Sequence, residues 1–169
     1  ACALGSRGTD LVIYFLAAKQ AGQLVENPRQ ISAFNYPAQY GPRSPIFARA
    51  MLMKTAGKPL LFVSGTASIV GHETLHVGDA PAQARETVAN ILAVLAQAQL
   101  AGMDAFSPNA NLLLKAYLRH PDDLAMVRSC LMQAFGPTAN ALYLQADICR
   151  SDLLLEVEAV HLNASAPMH

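Results

Sequence analysis

The chain has 169 residues, 53% hydrophobic and 14% charged, with 12 basic side chains against 12 acidic ones. This is enough apolar material for one domain with a real core, and no apolar run approaches the ~20 residues of a membrane span. The even charge balance argues against the basic stripe that nucleic acid requires, but leaves room for a small anion, since a few placed arginines do not show in a net charge.

The opening ACALGSRGTD carries neither an initiator Met nor the charged-then-apolar layout of a signal peptide, and is expected to begin a piece of a longer chain. Leu11-Val12-Ile13-Tyr14-Phe15-Leu16 has the length and residue types of a strand. From Gly22 to Pro45, four prolines (Pro28, Pro37, Pro42, Pro45) remove backbone donors and predict an ordered but irregular loop. Two strands are expected near Ala48–Lys54 and Pro59–Ser64, joined across Gly57, before Ser64-Gly65-Thr66-Ala67-Ser68 breaks the pattern with small residues.

Asp79 as N-cap, Pro81 in the first turn and Gly102 as terminator bound a helix. Its apolar face is Ala84, Val88, Ile91, Leu92 and Leu95, with Gln83, Glu86, Asn90 and Gln97 on the other side. Asn111–Leu118 reads as a buried strand. Pro121 opens a second helix with Leu124, Val127, Leu131 and Phe135 as its stripe and Gly136 as its end. Strands near Ala141–Ile148 and Leu153–Val160 close the chain, linked by the tight Cys149-Arg150-Ser151-Asp152 turn. The order β-β-α-β-α-β-β describes an α/β (α+β) fold, a mixed sheet with two helices packed on one face. The other face of such a sheet is expected to be covered by oligomerisation.

Cys2, Cys130 and Cys149 are odd in number and scattered, so neither a disulfide framework nor a zinc cluster is expected, and a reducing cytoplasm is the expected compartment. His72-Glu73-Thr74-Leu75-His76 meets the bare HExxH pattern, but it stands between glycines and ahead of the Asp79 cap, where a helix is not expected. No metal site is assigned to it, and His72 is left to bond a substrate or a loop carbonyl.

The order of elements resembles the RidA (YjgF) superfamily, which shares its architecture with small trimeric chorismate mutases. YPAQYGPRSPIFARA is similar to an elaborated form of that superfamily's IGPYSQ segment, and LLLEVEAVHL to its closing EIEAIA strand, whose first Glu maps to Glu156. VENPRQISAFNYP, YGPRSPIFARA, SGTASIVGHETLHVGD and DICRSDLLLEVE, in this order, resemble the C-terminal halves of chorismatases, which cleave chorismate to pyruvate and a ring product. Members of that family are about twice as long as this chain. The resemblance therefore implies a catalytic RidA-like domain over 48–169, a connector loop over 22–47 and the remnant of a preceding region over 1–21. It also implies a homotrimer, or docking against the protein's own N-terminal half.

The resemblance assigns Glu156 as the acid that protonates the enolpyruvyl methylene, a role that a carboxyl with a raised pKa can fill near neutrality. Spacing alone does not separate it from Glu158, which shares its strand face. Arg49 and Arg150 are the candidate clamps for the substrate carboxylates, since a guanidinium meets a carboxylate in a two-pronged fork. Arg43 is an outside candidate, and Tyr40 a candidate hydroxyl donor. Cys149 resembles the position that separates product classes: members with Cys there trap the ring cation with a group of the substrate and form 3-hydroxybenzoate. The companion position, Ala67, is similar to that of the hydrolytic type. The mixture implies a subgroup that forms both 3- and 4-hydroxybenzoate, with no cofactor. The alternatives are a hydrolytic chorismatase giving a dihydroxycyclohexadiene carboxylate, a RidA-type enamine/imine deaminase, and a non-catalytic ligand-binding module. ALYLQAD lacks the arginine with which deaminases hold their substrate, which counts against the second.

Overall fold

A computed structural model describes residue 13 and residues 15–55, 58–103, 112–137 and 139–162. Its main sheet has six strands: β1 (Gln23–Val25), β2 (Ala50–Thr55), β3 (Lys58–Thr66), β6 (Leu112–Leu118), β7 (Asn140–Gln145) and β8 (Leu155–Leu162). A separate ribbon pairs β4 (Ile69–Val70) with β5 (Glu73–Thr74). The sheet order is β1-β2-β3-β8-β6-β7, antiparallel throughout except for the parallel pair β6/β7.

Both helices, α1 (Ala80–Leu100) and α2 (Leu124–Phe135), lie on one face of this sheet. Alternation along the strands sends Ala50, Leu52, Leu61, Val63, Leu114, Ala116, Leu155 and Val157 toward the helices, where Ile91, Leu95, Val127 and Leu131 complete one core. The Asp79 carboxylate caps α1 by accepting from the Ala82 amide at 2.9 Å, and Gly102 leaves the helix at φ 97°. Gly136 stops α2 at φ 94°. Those boundaries follow from cap chemistry that is local to the sequence.

Several expectations are corrected. Of the segment 11–16, residues 11, 12 and 14 lie outside the described residues, and Ile13, Phe15 and Leu16 are exposed and in no strand. The edge strand is instead Gln23–Val25, inside the stretch expected to be irregular. The joint at Gly57 also lies outside the described residues. Leu92 and Leu124 face solvent, whereas Gln83 and Asn90 are fully buried, because α1 packs its polar stripe against loops as well as its apolar stripe against the sheet. Finally, β7 and β8 are not a hairpin, since β6 lies between them and the Cys149–Asp152 turn must cross the end of β6.

Among the described residues no helix is long and apolar enough to cross a membrane. The sheet face away from the helices carries Leu24, Leu113, Leu142 and Leu144, all well exposed.

Candidate functional site

The site forms where β3 loses its register. Against β8, Val63 pairs with Ala159 but Thr66 with Val157, so β3 fits one extra residue, a bulge at Ser64-Gly65. The bulge is fixed by hydrogen bonds: the Ser64 hydroxyl donates to the Ala48 carbonyl at 2.8 Å, its amide to the Arg49 carbonyl at 2.9 Å, and the Thr66 hydroxyl to the Ser64 carbonyl at 2.8 Å. Bulges re-aim the chain beside them. Here Gly65 and Ala67 turn into a pocket of about 460 Å³, together with Tyr36, Tyr40, Arg43, Arg49, Cys149, Arg150 and Glu156. All six residues singled out in the sequence therefore line one cavity, along with the outside candidate Arg43.

Arg49, just ahead of β2, is 6% exposed. Its Nη2 donates to the Ile31 carbonyl and to the Tyr36 hydroxyl, both at 2.9 Å, and its guanidinium lies 5.0 Å from the Phe47 ring centroid. Among the described residues its buried Nε has no hydrogen-bond partner. A buried guanidinium N–H without an acceptor is costly, and an anion entering the pocket would satisfy it.

Arg150 lies on the facing turn. Its Nη1 donates to the His72 carbonyl at 2.8 Å, and its guanidinium stacks 4.0 Å from the Tyr40 ring. Tyr36 stands between the two arginines, each guanidinium 5.5 Å from its ring centroid. The Tyr40 hydroxyl is 3.1 Å from His72 Nδ1. His72 thus braces the Tyr40–Arg150 stack and receives Arg150 on its own carbonyl. Glu73–Thr74 is a strand, so the HETLH segment does not present its histidines as a helix would. Among the described residues no group of three or more His, Cys, Asp or Glu is arranged to hold a metal ion.

The carboxylates that spacing left equivalent are separated by their surroundings. Glu156 is 6% exposed and lines the pocket. Glu158 pairs with Lys115 Nζ at 3.0 Å and accepts the Tyr117 hydroxyl at 2.9 Å, beside a different concavity of about 490 Å³ that contains none of the six residues. Burial first, with the Glu158 carboxylate as a further cause, pushes Tyr117 up to about 12. Cys149 keeps solvent-exposed surface, yet burial and then the Glu156 carboxylate push its thiol above the ordinary value, Arg150 opposing them. The pocket is therefore a cationic, partly aromatic cleft with one buried carboxyl and one thiol, suited to a small anion with an acid-labile bond.

Sequence reasoning missed the residues that hold this cleft together. Gln83 Nε2 donates to the Asp152 carbonyl at 2.8 Å and to the His76 carbonyl at 3.2 Å, and its Oε1 accepts from the Leu154 amide at 2.8 Å. Asn90 Nδ2 donates to the carbonyls of Ala67 and Ile69, each at 2.9 Å, while its Oδ1 accepts from Arg29 at 2.9 Å. With Thr87, also fully buried, they make a stripe at i, i+4, i+7. That spacing was visible in the sequence as a second helix face, but polarity alone assigned it to solvent.

No family model matches the chain. Over 168 residues it is 43% identical to a 3-hydroxybenzoate synthase of Streptomyces hygroscopicus, a match covering 95% of this chain and 49% of that protein. A crystal structure of a chorismatase superposes with a TM-score of 0.77 at 35% identity, covering 84% of this chain and 44% of the other. A Rid-family protein from Yersinia pestis superposes with a TM-score of 0.61 at 18% identity, covering 83% of this chain and 98% of the other, a likeness of fold. The chain spans about half the length of the curated relatives it matches.

Proposed function

We propose that the chain is the matching half of a chorismatase and cleaves chorismate, releasing pyruvate and forming 3-hydroxybenzoate together with 4-hydroxybenzoate, a reading supported by its 43% identity to a 3-hydroxybenzoate synthase and 39% identity to a chorismatase. The observation that carries this reading is the single pocket shared by Glu156, Arg49, Arg150, Tyr40, Cys149 and Ala67.

In this reading Arg49 and Arg150 hold the two carboxylates of the substrate, Arg49 through the Nε–H that has no acceptor among the described residues. Tyr40 adds a hydroxyl at the rim. Glu156 gives its proton to the enolpyruvyl methylene, the oxocarbenium ion collapses to pyruvate, and the ring is left cationic. Pyruvate and hydroxybenzoate together contain the atoms of chorismate, so this course needs no oxidant, reductant or water. Cys149 and Ala67 line the wall against which the ring cation is trapped by a group of the substrate, and the trapped ring sheds one proton as it becomes aromatic, which restores the acid form of Glu156. A positioned acid of this kind contributes roughly 100- to 10,000-fold in rate.

A specific observation favours a second reading, the hydrolytic outcome. Cys149 is solvent-exposed, which gives water a path to the cation, and Ala67 resembles the residue of the hydrolytic type; together they would give the diol. The RidA-like catalytic domain proposed is 48–169, acting in the cytoplasm, with the segment 22–47 adding strand β1 to its sheet and Tyr40 to its pocket. Its exposed sheet face with Leu24, Leu113, Leu142 and Leu144 would be covered by a companion RidA-like unit, either the N-terminal half of the longer polypeptide or further copies in a homotrimer.

Incubation with chorismate and chromatographic resolution of the products tests the proposal. Pyruvate with hydroxybenzoates is expected. Pyruvate with the diol alone would shift the assignment to the hydrolytic reading, and no turnover of chorismate by a protein containing both halves would refute it.

A further inference from the structure

Because β7 and β8 are separated by β6, the connection between them, residues 146–154, crosses the end of β6 without a ladder to satisfy its carbonyls. Arg119, the first residue after β6, supplies the missing donors. Its Nε donates to the Leu153 carbonyl at 2.9 Å and its Nη2 to the carbonyls of Ile148 at 3.1 Å and Arg150 at 3.0 Å. Its Nη1 meets the Asp147 carboxylate at 2.9 Å, and its own amide donates to the Leu154 carbonyl at 2.9 Å. The Asp147 carboxylate is largely exposed, so that ion pair adds little, and the carbonyl bonds are what fix the turn. Gln83 grips the same turn through Asp152 and Leu154.

Arg119 does not line the pocket, but Cys149, Arg150 and Leu153 on the turn it holds do. We propose that Arg119 is a positioning residue that, by fixing the carbonyls of Ile148, Arg150 and Leu153 from behind, sets where Cys149 and Arg150 stand relative to Glu156 and thereby which species traps the ring cation. The part concerning product choice rests on the chorismate reading above. The part concerning the turn does not. A lysine cannot replace Arg119, because one ammonium cannot reach three carbonyls in the spread that a planar guanidinium spans.

Two readouts test this on the intact chain. The first is the pH profile of Cys149 alkylation by iodoacetamide, resolved by peptide mass spectrometry, with Cys130 as internal control. Arg119→Gln is expected to release the turn, move the thiol away from burial and from Glu156, and speed Cys149 alkylation at pH 8 about tenfold, leaving Cys130 unchanged. Arg119→Lys, which keeps the pair with Asp147, is expected to lie between. The second is the ratio of hydroxybenzoate to diol from chorismate, expected to fall about threefold or more with a smaller loss in pyruvate release.

An unchanged Cys149 profile in both variants would overturn the proposal. So would parallel acceleration of Cys149 and Cys130, which marks general loosening. A product ratio unchanged in variants whose Cys149 profile has moved would overturn the specificity role. If the parent does not consume chorismate but Cys149 responds as expected, the turn's positioning stands and the substrate reading falls.

Discussion

Replacing Gln83 with leucine tests how far the polar stripe of α1 holds the site. Leucine has nearly the same volume and equal helix propensity, so packing and helix stability are little disturbed. Three hydrogen bonds are lost. The His76 carbonyl keeps the Asp79 amide as a donor, whereas the Leu154 amide and the Asp152 carbonyl lose the partner that Gln83 gave them. Both groups are partly buried, and each one orphaned there costs about 1–3 kcal/mol. Allowing for the apolar gain of leucine, the net loss is about 3 kcal/mol, which in a chain of this size lowers the melting temperature by roughly 6–12 °C. Urea unfolding followed by circular dichroism, with wild type and Gln83→Leu side by side, measures it. A loss below about 0.5 kcal/mol, the level of an ordinary surface substitution, would refute the reasoning.

Arg49→Lys is expected to raise the KM for chorismate about tenfold or more, because a single ammonium cannot offer a carboxylate the planar fork of a guanidinium while also meeting Tyr36 and Ile31; steady-state kinetics give the value, and an unchanged KM would remove Arg49 from substrate binding. Burial holds the His161 imidazole below its ordinary value, so below about pH 6.5 the unfolded chain takes up a proton that the folded chain resists. Stability contributed by neutral His161 is therefore present above that pH and is lost as the pH falls below it. His161→Leu is expected to flatten the fall in urea midpoint between pH 7 and pH 5, and an equal slope in both proteins would contradict this.

Much of the fold was legible because its signals are local. The Asp79 cap, the Gly102 and Gly136 terminators and the alternation along β2, β3 and β8 are each written within a few residues. The position of β6 between β7 and β8 was not, since nothing in the turn Cys149–Asp152 says whether its two strands are neighbours. At the site, the residues of the pocket wall were readable through family motifs, which also preferred Glu156 to Glu158 where spacing could not, but the different surroundings of the two carboxylates were not legible. Lys115 and Tyr117 engage Glu158 from β6, a strand more than forty positions away in sequence. Gln83, Asn90 and Arg119 escaped notice for one reason. A polar side chain on a helix or at a strand end reads as solvated, and only the carbonyls of distant loops reveal it as a fastener.

The central claim is that Glu156 supplies the proton that frees pyruvate. Its most direct measurement is the rate of pyruvate release from chorismate by wild type, Glu156→Gln and Glu158→Gln, each confirmed as folded by its thermal transition. A loss of roughly 100- to 10,000-fold is expected for Glu156→Gln and a change of less than about tenfold for Glu158→Gln. Full activity in Glu156→Gln, or the larger loss falling on Glu158→Gln, would contradict it.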